Sequence, residues 1–170
     1  DVHGKTLGLV GYGRIAQAVA RRAAGFDMEV LHTSRHGTGA SGFVPDLLDL
    51  LARSDVISLH VPLSDSTRSL IGAAELAAMK PTAVLVNTAR GPVVDEGALA
   101  DALEAGTIAG AGLDVFDGEP SVSPRLLAAP NTTLLPHIGS ATVETRTRMA
   151  RLACQGVCDV LAGQTPPNMV

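Results

Sequence analysis

A doubly wound parallel α/β sheet is the fold class that this sequence predicts, on three observations. Short apolar runs alternate with amphipathic helical stretches along the whole chain, as in strand, crossover, strand units. The composition is 46% hydrophobic but only 2% aromatic, with no Trp, so the core is to be built from Ala, Val, Leu and Ile, which suits helices packed on a buried sheet. The first apolar run ends in Gly11-Tyr12-Gly13 directly before a helical pattern, the strand, glycine turn and helix of a Rossmann unit.

At 170 residues the chain is long enough for a full core and is read as one domain. Its net charge of −4, with no basic tract, argues against nucleic acid or an anionic membrane as partner. No apolar run reaches membrane-spanning length, and the start, Asp1-Val2-His3-Gly4-Lys5-Thr6, lacks the regions of a signal peptide. A cytoplasmic protein of small-metabolite chemistry is expected. The abrupt start and the end after Pro166-Pro167 predict a piece of something larger.

Thr6 followed by Leu7 to Gly11 makes the first strand. Gly11 supplies a turn that a side chain would obstruct. Gly13 lets the backbone approach a pyrophosphate at the N-terminus of a helix starting near Arg14, where free N–H groups and the dipole favour anions. Ala16 takes the third position of the G-x-G-x-x-G/A pattern. Ile15, Val19, Ala20 and Ala23 share one helical face, Arg14, Arg21 and Arg22 point elsewhere, and Gly25 is expected to end the helix. Glu29 to His32 forms the second strand. Just beyond it, Ser34 lies eighteen residues after Ala16, where an acid would grip the ribose of NAD. Ser34 cannot do so, whereas Arg35 can pair with a 2′-phosphate, which tilts the cofactor toward NADP over NAD. A solvated loop arginine is the alternative.

After a glycine, Ser and Thr loop, Asp46 to Arg53 reads as a short helix following Pro45, and Asp55 to His60 as a strand. Ser64 to Thr67 is expected to cap the turn beyond it, at the edge where open α/β sheets bind ligands. His60 is read as structural rather than catalytic. Ala73 to Met79 is helical, Pro81 breaks it, and Ala83 to Val86 is a buried strand delivering Asn87-Thr88-Ala89-Arg90-Gly91 to the same edge. Arg90, ahead of the rigid Gly91-Pro92, is a candidate anion clamp. Asp95 caps a helix through Ala105 with Glu96 in its first turn. Ile108 to Val115 is a strand in which Asp114 stands among apolar neighbours, a place that calls for a polar partner such as a cofactor group. Pro124 to Ala129 is a brief helix and Thr132 to Leu135 the last strand. Ser140 or Thr142 then caps a helix to about Leu161. Cys154 and Cys158, the only cysteines, are read as small buried residues rather than a disulfide, a metal pair or a nucleophile; no metal site is expected.

Together VGYGRIA, NTARGPVVDEGAL, GAGLDVFDGEP and LLPHIGSAT resemble the signature set of the D-isomer-specific 2-hydroxyacid dehydrogenases, across nearly the whole chain. The resemblance is to that family's nucleotide-binding lobe; a second, substrate-binding lobe, built from flanking segments, is absent here. It implies a NAD(P)-dependent oxidoreductase interconverting a 2-oxo acid and a D-2-hydroxy acid, close to the glyoxylate and hydroxypyruvate reductases, and a homodimer. The family's catalytic trio falls on Arg90, Glu119 and His137. His137 would be the general acid/base, Glu119 would orient its imidazole, and Arg90 would hold the substrate carboxylate. Implied cofactor contacts are Gly11, Gly13, Arg14 and Ile15 at the pyrophosphate, and Ser34 and Arg35 at the ribose. Val61, Pro62 and Thr67 line the adenosine side, and Thr88, Ala89, Arg90, Asp114, His137, Gly139 and Ser140 lie around the nicotinamide half. Ala16 and Ser34 depart from the family's usual glycine and acid. The lone lobe is expected to bind cofactor with little turnover. Because some members of the family act as transcriptional co-repressors, a nucleotide-sensing module without turnover is the alternative.

Overall fold

The computed structural model describes residues 1–37 and 39–167. The chain divides into two compact units, one from Asp1 to Pro136 and a second beginning at His137. The first holds six strands: β1 (Thr6–Val10), β2 (Glu29–Thr33), β3 (Val56–Leu59), β4 (Val84–Asn87), β5 (Gly110–Leu113) and β6 (Thr132–Leu134). They form one sheet in the order β2-β1-β3-β4-β5-β6, and every neighbouring pair is parallel. The direction of winding reverses at β1, which has β2 on one side and β3 on the other. In such sheets the crevice for a ligand opens beyond the carboxyl ends of the strands at this switch point.

The helices of this unit are α1 (Arg14–Ala23), α2 (Leu47–Arg53), α3 (Ala73–Ala78), α4 (Glu96–Glu104) and α5 (Pro124–Ala128). The pleat sorts β1 between two cores. Leu7 and Leu9 pack with Ala16 and Ala23 of α1. Val10 belongs to the larger cluster containing Leu50 and Leu51 of α2, Leu76 of α3, Leu99 and Leu103 of α4 and Leu126 of α5. Helices therefore cover both faces, the doubly wound arrangement. A Cβ at Gly8 would run into Ser54 and Leu50, so the missing side chain is what lets α2 lie close to β1. At the opposite end of the strands, Asp55 accepts from the Thr6 amide at 2.9 Å and from Lys80 Nζ at 2.8 Å. The Lys80 ammonium, with the Thr6 amide, holds its carboxyl below the usual range.

Element boundaries move by one or two residues, and four expectations are corrected. Ile15 is not on the buried face of α1 but 71% exposed, because the first turn projects past the sheet edge; Ala16 takes the inward place. The first helix is not stopped by Gly25. A 3₁₀ turn, Ala24–Phe26, follows α1, and Asp27 takes the left-handed conformation at φ 51°, which an aspartate tolerates better than most residues. The strand expected over Ile108 to Val115 is paired only at Gly110–Leu113. Cys154 and Cys158 are exposed, not buried. They lie in the second unit, on α6 (Val143–Leu161), which buries none of its residues. Of the two candidate caps of α6, Thr142 is the one whose side chain accepts, from the Thr145 amide at 3.1 Å.

Candidate active site

Gly11 has φ +91°, and a Cβ there would press on the backbone of His60 at 2.9 Å. The turn after β1 can thus pass close to the end of β3 only as glycine. Gly13 is different: its φ is −76°, and an added Cβ would meet no protein atom within 4 Å. Asp46, Asp95 and Thr142 cap α2, α4 and α6 with their own side chains. No side chain caps α1, and its first turn carries no acid. Its leading N–H groups, with Gly13, Arg14 and Ile15 exposed around them, are left for an outside anion.

A cavity of about 600 Å³ opens beyond β1, β2 and β3. Gly11 and Gly13 line it from β1, Ser34 and Arg35 from β2, and Val61, Pro62 and Thr67 from β3. A second, of about 440 Å³, is lined by Ile15, Ala89, Arg90 and, again, His60, Val61 and Pro62. The two share one rim and make a crevice along the sheet edge from Arg35 to Arg90. Its chemistry suits a dinucleotide: an apolar bed, uncapped amides at the middle, a cation toward each end, and no carboxylate among the residues lining either cavity. NAD or NADP fits.

Ser34 is occupied by its own turn, its hydroxyl donating to the His36 carbonyl at 2.5 Å. Thr67 is buried and closes the Ser64–Thr67 turn as expected, accepting from the Ser64 amide at 2.8 Å and donating to the Pro62 carbonyl at 2.7 Å. His60 meets Ser58 Oγ through Nε2 at 3.0 Å, and burial lowers its pKa. Such a ring is neutral at neutral pH, in keeping with a structural role. His32 is fully buried and stacked on Tyr12 at 3.7 Å; burial lowers its pKa also.

At the other end, Asn87 is 1% exposed, and its side chain ties down the loop that follows β4. Nδ2 donates to the Arg90 carbonyl at 2.9 Å, and Oδ1 accepts from the Ala89 amide at 3.0 Å. Thr88 and Arg90 are left exposed, and Arg90 Nη1 donates to the Ala89 carbonyl at 2.6 Å. Gly91 abuts the Phe116 carbonyl and the Asp117 amide, where a Cβ has no room. The Arg90 loop and the Glu119 loop are thereby packed backbone to backbone. Glu119 accepts from the Phe116 amide at 2.9 Å, and Glu96 reaches from α4 to the Asp117 amide at 2.7 Å. Asp114, 5% exposed, begins this loop, with its amide donating to the Asn87 carbonyl at 3.0 Å. Local sequence pattern marks neither Asn87 nor Glu96 as a site residue: the first is a polar residue at a strand end, the second an ordinary first-turn acid.

His137 opens the second unit. It is exposed and holds φ 53°, a conformation that costs a non-glycine residue on the order of 1 kcal/mol. Gly139 is exposed beside it, and the Ser140 carbonyl accepts from the Thr142 amide at 3.0 Å and from Arg146 Nε at 3.3 Å.

The family model of the D-isomer specific 2-hydroxyacid dehydrogenase NAD binding domain matches residues 1–139. The chain belongs to this family. It is 50% identical to a glyoxylate reductase of Thermococcus litoralis over 98% of this chain and 52% of that protein. A solved protein of Thermus thermophilus superposes with a TM-score of 0.93 at 49% identity, over 99% of this chain and 54% of the other. An NADPH-dependent glyoxylate/hydroxypyruvate reductase of Sinorhizobium meliloti, solved with NADP and malonate, gives 0.90 at 42% identity over 94% of this chain and 50% of its own. The chain thus spans about half the length of the relatives it matches. Among the described residues, no helix is long and apolar enough to cross a membrane.

Proposed function

We propose that this dehydrogenase domain is the cofactor-binding half of an enzyme that interconverts a 2-oxo acid and a D-2-hydroxy acid, with glyoxylate and hydroxypyruvate as the favoured oxo acids. The observation that carries the proposal is the sequence of chemistry after consecutive parallel strands: Arg90 after β4, Glu119 after β5 and His137 after β6, in a chain whose family is established. When bound, the nicotinamide supplies the hydride chemistry. Arg90 would hold the substrate carboxylate in a bidentate grip. His137 would give a proton to the oxo oxygen as it becomes a hydroxyl, or take it back in reverse. Glu119 would fix the imidazole and favour its charged form. A substrate-binding lobe outside this chain would complete the cleft, so the chain alone is expected to bind cofactor with little turnover.

The preferred cofactor is NADP, because Arg35 and not a carboxylate stands past β2, and the NADPH-dependent relative supports the choice. A homodimer and a cytoplasmic location belong to the same proposal; sedimentation and cell fractionation read them, and a strictly monomeric full-length protein would sink the first.

The decisive experiment is His137→Ala in the full-length protein. It should lower kcat by roughly 10²–10⁴ and leave cofactor affinity nearly unchanged, as for loss of proton transfer. Glu119→Gln should instead move the histidine limb of the pH–rate profile downward. A His137→Ala protein that loses thermal stability but keeps its turnover per folded molecule would overturn the mechanism.

A further inference from the structure

Arg35 does not hang free over the cavity. Its Nη2 lies 3.2 Å from Ser66 Oγ, across the crevice mouth on the loop after β3. Ser66 Oγ lies 3.1 Å from Ser64 Oγ, which lies 3.1 Å from Thr67 Oγ1, and Thr67 Oγ1 lies 2.7 Å from the Pro62 carbonyl oxygen. The two ends of this row fix every proton in it. A guanidinium can only donate and a carbonyl can only accept. Ser66 therefore accepts from Arg35 and donates to Ser64, Ser64 donates to Thr67, and Thr67 donates to Pro62. Each hydroxyl donates once, all in one direction, from an exposed cation to a backbone atom, an order in which successive bonds polarise one another.

We infer that Ser66 is a specificity-determining positioning residue, aiming Arg35 at the 2′-phosphate of the bound dinucleotide through this one-way hydroxyl chain; the inference rests on the NADP preference proposed above. What makes a serine suitable is its neutrality. A carboxylate at position 66 would hold the guanidinium more tightly but cancel the charge on which a phosphate depends. A hydroxyl orients it and leaves its charge intact, and the anchor beneath is firm because Thr67 is buried. Without the chain, the long arginine side chain would have to be ordered by the phosphate itself, at an entropic cost to binding.

The test is titration of the chain with NADPH and NADH, followed by fluorescence or calorimetry. Wild type should prefer NADPH. Ser66→Ala should weaken NADPH by about three- to tenfold, the loss of one ordinary solvent-exposed hydrogen bond, and leave NADH unchanged. Ser66→Thr should restore the preference, and Ser66→Glu should abolish it. In an Arg35→Ala background, Ser66→Ala should have no further effect. A wild type without NADPH preference would break the cofactor reading itself. A preference that survives Ser66→Ala and Ser66→Glu, or an equal effect of Ser66→Ala without Arg35, would overturn the role of Ser66 alone. Ser66 is exposed, so the folding of these variants, checked by melting temperature, should match wild type.

Discussion

Arg35 and Arg90 lie along one crevice, each just past a strand of the same sheet, and yet they are held by different physics. Arg35 is steered by a side-chain relay borrowed from a neighbouring loop. Arg90 is placed by its backbone: Asn87 grips the loop from below, Gly91 locks it onto the Phe116–Asp117 backbone, and the guanidinium bonds its own chain at Ala89. The difference separates two demands. Under the proposed roles, the cofactor-selecting Arg35 can be retuned by exchanging one exposed side chain, whereas Arg90, assigned to the substrate, is fixed by buried groups that tolerate little change.

The sharpest way to break this contrast is Gly91→Ala. The new methyl would have to displace the Phe116 carbonyl, so a loss of about 4 kcal/mol or outright failure to fold is expected in thermal or denaturant unfolding. Gly13→Ala is the control at the other end. Its Cβ would meet no protein atom, and stability should fall by no more than about 1 kcal/mol, the difference between glycine and alanine at an N-cap, while dinucleotide binding weakens. Equal stability losses at the two glycines would show that the crevice ends do not differ as described.

Asn87→Ala should act next most strongly. It removes a donor and an acceptor at a 1% exposed site and strands the Ala89 amide and the Arg90 carbonyl, for a loss of about 2–4 kcal/mol. In the full-length protein KM for the oxo acid should rise more than kcat falls, since the loop that aims Arg90 would be loosened. Unchanged KM in a folded Asn87→Ala variant would remove Asn87 from the positioning of Arg90.

Much of this was written in the sequence, and what was not has a common cause. The glycine turn, the alternation of strand and helix and the caps by Asp95 and Thr142 follow from local rules of period, turn and cap, and the motifs placed Arg35, Arg90 and Glu119 beyond the right strands. Hidden were the links between loops far apart in the chain: Arg35 to Ser66, Glu96 to Asp117, Gly91 to Phe116. Each depends on which strands are neighbours, and no local pattern carries that. The buried expectation for Cys154 and Cys158 failed for a related reason, since helical periodicity says which residues share a face but not what, if anything, covers it.

The smallest expected effect probes the brace beneath the Glu119 loop. Glu96 is half-buried against the Asp117 amide; burial raises its carboxyl above the ordinary range, the Asp117 charge adds to this, and the amide bond opposes it. An acid whose folded pKa is raised binds its proton more readily in the folded chain, so stability falls as pH rises from the ordinary glutamate value, 4.5, through the raised one. Glu96→Gln keeps an oxygen to accept from the Asp117 amide and removes the charge. Its melting temperature should match wild type below the ordinary glutamate range and exceed it by about 1–3 °C near neutrality, with the gap opening across that window. Were the charge needed to hold the loop, the order would reverse, with wild type the more stable at neutral pH. The brace would then be ionic, and the Arg90 end of the crevice would rest, like Arg35, on a tunable side chain.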